Sequence, residues 1–328
     1  MLARVSAGFC SVCGAVLRDG VCPNGHPQRA QRRLHNRRRR RGLWTLLVVF
    51  LLASAGAYAG LVWYPRRAAA ELMEGPSRAF ETSLDAYRTT VSAFPPGATD
   101  PQALSDGCAA LLATSGQTRD RLGRDTIELE LQSPPEVPVV SSRPPLQQAR
   151  ELRDLMLDFN TRAQEVLGRL EAACGYVTQA TGVLPQLDTL GSTLGDPRDL
   201  GAIRASVAAA TPIAEQLLAD LRALAPPPDL GGLHSALQAI ARRIRADLEE
   251  IDRTAQAGGT PVVRALLGDI RSSFDTFRQT LGTAPEEAGA AGLATALEEV
   301  EGLAQQIVEG LRTLREVHGL AGVSVPEG

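Results

Sequence analysis

Residues Leu43–Tyr64 carry no charge and no proline, and five consecutive arginines, Arg37, Arg38, Arg39, Arg40 and Arg41, run directly into them. As a helix this stretch is about 33 Å long, against a bilayer hydrocarbon core of about 30 Å. A buried helix of a soluble protein usually keeps one polar face over six turns, and this one has none. The chain's two tryptophans, Trp44 and Trp63, sit one at each end. With Tyr64 they stand where aromatic side chains meet headgroups. The stretch predicts one transmembrane helix over 43–64, which splits the polypeptide into a head and a tail.

Orientation follows from the arginines. Arg29, Arg32, Arg33 and the run Arg37, Arg38, Arg39, Arg40 and Arg41 precede the span closely, whereas only Arg66, Arg67 and Arg78 follow it within a comparable distance. The positive-inside bias places the head in the cytoplasm and residues 65–328 outside, at a bacterial cytoplasmic (inner) membrane. A cleaved signal peptide is the competing reading, favoured by the small residues Ala53–Ala59. Such peptides rarely carry a long hydrophilic head with a cysteine motif of its own, so an uncleaved anchor is expected. Gly56 and Gly60, with Ala53 and Ala57 nearby, allow close packing of two such helices and a homodimer. The same residues are also simply common in spans.

The head holds the sharpest chemical motif. Phe9-Cys10-Ser-Val-Cys13-Gly14 is followed, with eight residues between Cys13 and Cys22, by Cys22-Pro-Asn-Gly-His26. Thiolates and imidazole are the ligands zinc prefers, and two tight turns can close four of them into a tetrahedron. Gly14 permits the left-handed turn that aims backbone N–H groups at sulfur. The segment resembles the zinc-ribbon knuckle proteins, whose short heads carry paired Cys-x2-Cys-Gly turns and stand at the N-terminus of many bacterial single-pass membrane proteins. The resemblance implies Cys10, Cys13, Cys22 and His26 as the ligands of one structural Zn2+. It departs from the family pattern in its histidine and its short spacer, and it leaves the tail unassigned. With four ligands filled, no position is open for a reactive water. A disulfide reading fails because three cysteines leave one over in a reducing compartment. Residues 1–28 are therefore expected to form a zinc ribbon, with His35 spare in the linker that follows.

Residues 29–42 form a basic juxtamembrane linker. Nucleic-acid readers interleave aromatic and basic residues, and this segment has no aromatic residue apart from His35. Juxtamembrane basic clusters act on anionic lipid, so membrane lipid is the expected partner and nucleic acid is not. The charge is partitioned to match. Residues 1–42 carry ten arginines against Asp19, a net +9, and residues 65–328 carry 24 arginines against 36 acids, a net −12.

The tail is expected to be mainly α. Apolar residues recur three and four apart in about seven stripes, interrupted by Pro95-Pro96-Gly97, by five prolines between Ser133 and Pro145, and by Pro226–Pro228. Each break ends a helix and lets the next fold back, which gives antiparallel bundles with coiled-coil-like spacing. The expected layout is a first helical region over 65–181, a linker over 182–197, a second bundle over 198–320 and a disordered tail over 321–328. Thr126–Leu131 alternates and reads as a short strand, although one strand cannot form a sheet alone. Arg243/Asp247, Arg245/Glu249 and Glu249/Arg253 read as weak ion pairs on a solvated face. His234 and His318 lack acidic or thiol neighbours at ligand spacing.

Cys108 and Cys174 both fall on apolar stripes, in a compartment that can be oxidising. A disulfide and two buried thiols remain equally open. No nucleophile elbow, phosphate loop or His-Glu-x-x-His motif occurs. The expected function is thus a non-enzymatic, membrane-anchored cell-envelope scaffold with protein partners on both sides. The alternative is a transmembrane sensor or regulator that couples the tail to a partner of the ribbon. That alternative needs the helix to continue past Pro65. An envelope enzyme is the third reading.

Overall fold

In the computed structural model the apolar stretch is helical, and the helix begins well before it. The structure describes residues 8–10, 12–18, 21–26, 29–94, 100–132, 143–195, 199–288 and 292–326. Helix α1 spans Arg29–Tyr58, so the basic segment expected as a linker is helical too. A π-helical turn, Ala59–Trp63, follows, and α2 begins directly at Tyr64. None of the apolar window is covered by protein, and the helix is long and apolar enough to cross a membrane. Gly56 lies in α1 and Gly60 in the π-turn, with no neighbouring atom near either.

The π-turn explains how the helix passes Pro65. A proline ring clashes with the carbonyl four residues back and offers no N–H to it. Here that carbonyl belongs to Leu61, inside the π-turn, where Tyr64 N–H bonds to Ala59 O. Widening the turn moves the carbonyls off their α-helical positions. The expectation that Pro65 interrupts the helix is therefore corrected.

The chain divides into two compact units, Met1–Pro65 and Arg66–Gly328. In the second, α2 (Tyr64–Ser92) is followed by α3 (Pro101–Leu131), α4 (Pro144–Thr181), α5 (Leu184–Leu194), α6 (Leu200–Ala223), α7 (Gly231–Gln256), α8 (Thr260–Gly282), the short α9 (Ala284–Ala288) and α10 (Ala294–Glu316). Prolines and acids start these helices where expected. Asp100 accepts from the N–H groups of Gln102 and Ala103 ahead of α3, and Asp199 accepts from Ala202 N–H ahead of α6. Each such cap is worth about 1 kcal/mol. Residues 224–227 are extended and Pro228–Leu230 form a 3-10 turn, so the triple proline does reverse the chain between α6 and α7. The proline breaks at 95–97 and 133–142 lie outside the described residues.

One core runs through the whole unit. It includes Leu72 and Phe80 of α2, Leu111 of α3, Phe159 and Leu170 of α4, Leu217 of α6, Ile244 of α7, Phe277 of α8 and Ile307 of α10. Phe159 of the long α4 meets Phe80 and Tyr87 edge-on, with ring centroids 5.1 and 5.9 Å apart. The regions 65–181 and 198–320 therefore share a core and do not each build their own.

Three expectations fail locally. The 182–197 linker is mostly helix α5, because Leu187, Leu190 and Leu194 recur on one face and are buried. Gly191 in that helix lies beside Phe274 of α8. Thr126–Leu131 is the end of α3, with Ile127 and Leu131 exposed and Leu129 buried. A lone strand has no ladder partner, whereas the helix only needs to extend. Residues 321–326 are ordered rather than a disordered tail. Gly319, at φ +69°, turns the chain after α10, and Leu320 N–H bonds back to Leu314 O. A positive φ just past the last turn is a common way to stop a helix. It delivers Leu320 and Val323 into the core and lets Ser324 N–H donate to Ser77 Oγ on α2.

Candidate metal centre

The four sulfur and nitrogen atoms of Cys10, Cys13, Cys22 and His26 all lie within 4.8 Å of one another. Cys13 Sγ is 3.4 Å from Cys22 Sγ, and His26 Nδ1 is 3.6 Å from Cys22 Sγ and 4.0 Å from Cys10 Sγ. A tetrahedral zinc with bonds of about 2.3 Å to sulfur and 2.0 Å to nitrogen needs edges of about 3.5–3.8 Å. The cluster could hold a metal ion.

Two turns create it. Gly14 N–H bonds to Cys10 O and Gly25 N–H to Cys22 O, each at 2.9 Å. Both glycines have positive φ, +70° and +74°, which a side-chain-bearing residue resists. Isolated antiparallel bridges pair Phe9 with Val16 and Arg18 with Val21, and no strand forms among the described residues. Cys10 N–H to Ala15 O, at 2.8 Å, and Leu17 N–H to Gly8 O, at 2.7 Å, complete the first hairpin.

The electrostatics favour thiolates on the first turn. Backbone N–H groups of Val12 and Cys13 lower the Cys10 thiol to about 6. The Ala15 backbone N–H, then Cys22, lower Cys13 as well. Burial raises Cys22. Hydrogen bonding to Cys13 raises His26. Cys10 and Cys22 are buried and Cys13 is exposed. Asn24 donates its side-chain amide to Cys13 Sγ at 3.6 Å, a contact the spacing of the ligands did not disclose. Its place in the Cys-Pro-Asn-Gly turn is the signal that could have revealed it.

The remaining expected site residues lie apart from this cluster. Arg37, Arg38, Arg39, Arg40 and Arg41 fall within α1, so the run expected in a linker is helical, and their side chains are outside the described residues. Trp44, Trp63 and Tyr64 are exposed on the apolar helix and its continuation. Cys108 of α3 and Cys174 of α4 are fully buried and joined as a disulfide, with Cα atoms 4.8 Å apart. Arg243 reaches Asp247 at 3.8 Å and Arg245 reaches Glu249 at 3.0 Å, while Arg253 pairs with Glu250 instead of Glu249. His234 is held between the Tyr176 hydroxyl, at 3.1 Å, and Gln238, at 2.8 Å.

A groove of about 640 Å³ runs between α4 and α10, bordered by Asp158, Arg162, Glu165, Arg169 and Glu299. Its charges are engaged with one another. Arg162 donates to Asp158 at 3.1 Å and to Glu299 at 2.8 Å, and Arg169 grips Asp229 with two 2.9 Å bonds. No protein-family model, curated protein or solved structure matches the chain.

Proposed function

We propose that this is a single-pass, non-enzymatic membrane protein with a cytoplasmic zinc ribbon. Its helical domain lies outside a bacterial inner membrane and holds protein partners there, while the ribbon holds others inside. The observation that carries this reading is the opposite state of sulfur on the two sides of the apolar helix. Before it, three thiols and an imidazole converge within 4.8 Å. After it, the two remaining cysteines are paired as a disulfide. Thiol metal sites suit a reducing cytoplasm, and disulfides suit the space outside. The arginine bias before the span points the same way. Zinc is the metal of choice because three thiolates and one imidazole in a tetrahedron match it, and four filled positions make its role structural.

The test is thiol accessibility in intact bacteria producing the full chain. Cys108 and Cys174 should react with a membrane-impermeant maleimide only after reduction. Cys10, Cys13 and Cys22 should react only after lysis and chelation. Labelling of the head cysteines in intact cells would reverse the topology. Metal analysis should find about one zinc per chain. Crosslinking with head and tail as separate baits addresses partners, and two empty baits would defeat the scaffold reading.

A second reading, a sensor or regulator, is favoured by one observation. Helical assignment continues from Arg29 to Ser92 through Pro65, so the discontinuity that weighed against coupling is absent.

A further inference from the structure

The head presents apolar side chains that its own small fold leaves uncovered. Phe9 is 62% exposed, Val12 68%, Val16 50% and Val21 67%. Phe9 and Val16 oppose each other across the first hairpin. Val12 lies between the ligands Cys10 and Cys13, and Val21 precedes the ligand Cys22. Both loops that carry these valines are therefore drawn to the metal cluster. A soluble module gains nothing by showing such a group to water, and exposed apolar side chains concentrated on so small a module mark a contact with protein or membrane.

We propose that this face inserts into the headgroup region of the anionic cytoplasmic leaflet, giving the chain a second membrane contact beside its span. The inference rests on the reading that the head faces that leaflet. Charge and tether length select the occupant. The segment between His26 and Leu43 has eight arginines and no acid, which complements an anionic surface. A second copy of the chain would bring another eight arginines alongside, and their repulsion opposes a head-to-head contact. Reach is sufficient. Residues 29–42 of α1 extend about 21 Å as a helix. A module of the head's size is about 20 Å across. A headgroup layer about 6 Å deep therefore lies within one head's width of the start of that helix. Because the span holds the head there permanently, insertion is intramolecular, and a few apolar side chains suffice.

The experiment uses the full chain, zinc-loaded, with Phe9→Trp in a Trp44→Phe, Trp63→Phe background. It is placed in nanodiscs of phosphatidylcholine with or without phosphatidylglycerol, the acyl chains brominated. Insertion should blue-shift the emission and quench it by roughly half in the phosphatidylglycerol discs. Quenching should weaken in phosphatidylcholine and on adding Val12→Ser and Val16→Ser. Zinc content confirms that each variant is folded, and Val12→Trp serves if Phe9→Trp loses metal. Unquenched, water-like emission in both discs overturns the proposal. So does equal quenching in both, because the contact requires anionic lipid. A blue shift that follows protein concentration without bromine quenching assigns the face to a second copy and overturns it as well. Replacing Arg37, Arg38, Arg39, Arg40 and Arg41 together by glutamine separates the two levels of the argument. If that variant loses co-purifying phosphatidylglycerol while the indole emission of its Phe9→Trp parent stays water-like, insertion fails and the lipid reading stands. If phosphatidylglycerol enrichment is absent from the start, both fail.

Discussion

The head and the tail put sulfur to opposite uses, and the contrast reflects how each solves the problem of stability. The head has too few residues to bury a core, and Phe9, Val12, Val16 and Val21 stay exposed. The proposed metal would supply the bonds that a core does not, with two glycine turns placing the four candidate ligands. The tail buries a core that runs from Ala68 to Val323 and uses its disulfide as one staple between α3 and α4. On the proposed function one unit should be sensitive to chelators and oxidants, and the other to reductants.

Removing the metal gives the largest expected effect. Structural zinc contributes an apparent 10–16 kcal/mol in modules of about this size. Chelation, or Cys22→Ser, should abolish the amide exchange protection of residues 8–26 and leave the melting transition of the tail unchanged. A loss of protection in both units would break the comparison, because it would make the tail depend on the metal.

Reduction should act in the other direction. The Cys108–Cys174 bridge spans 66 residues, and a loop of that length is worth about 4 kcal/mol through the entropy of the unfolded chain. Cys108→Ala with Cys174→Ala should lower the denaturant midpoint of the tail by up to that amount while zinc content stays at about one per chain. An unchanged midpoint would assign the tail's stability to its core alone.

These two sites also show what can be read from a chain and what cannot. The four metal ligands were legible because Cys10, Cys13, Cys22 and His26 meet through turns of three or four residues, so spacing encodes the contact. Cys108 and Cys174 sit on different helices, and their pairing depends on the register in which α3 and α4 pack, which no local pattern carries. The stripes of α7, α8 and α10 were plain in their three-and-four periodicity. Helix α5 was hidden by Gly191 and Pro185, which fall in the stretch expected as a linker, although Pro185 starts the helix and Gly191 sits within it. The π-turn at Ala59–Trp63 had no signal except Pro65, whose clash it relieves.

The C-terminal segment makes the same point at smaller scale. Chain ends are usually frayed, yet Val323 is buried and Ser324 bonds to α2. Val323→Ala removes two methyl groups from the core and should cost about 1–2 kcal/mol in the tail, seen as a lower melting temperature. The same substitution should leave the head's zinc stoichiometry untouched. A negligible cost would return residues 321–326 to the status of a loose end.

The smallest expected effect concerns a charge rather than a contact. Asp247 on α7 has only 18% of its side chain exposed, with Arg243 3.8 Å away. Its Oδ2 accepts no hydrogen bond. Burial raises its pKa, Arg243 opposes that shift, and Asp269 adds to it. A raised carboxyl pKa means that the folded state binds the proton more tightly than the unfolded state does. Stability is then lost as pH rises from the ordinary carboxylate value through the folded one, and at neutral pH the ionised Asp247 is a net cost. Asp247→Asn should therefore raise the tail's melting temperature slightly at pH 7. The advantage should vanish below the ordinary carboxylate pKa, where Asp247 is protonated in both states. Melting curves of the two proteins at neutral and acid pH check this, and a loss at pH 7 would mean that attraction to Arg243 outweighs the burial. The head, which needs deprotonated ligands, should respond to acid in the opposite sense by releasing its metal.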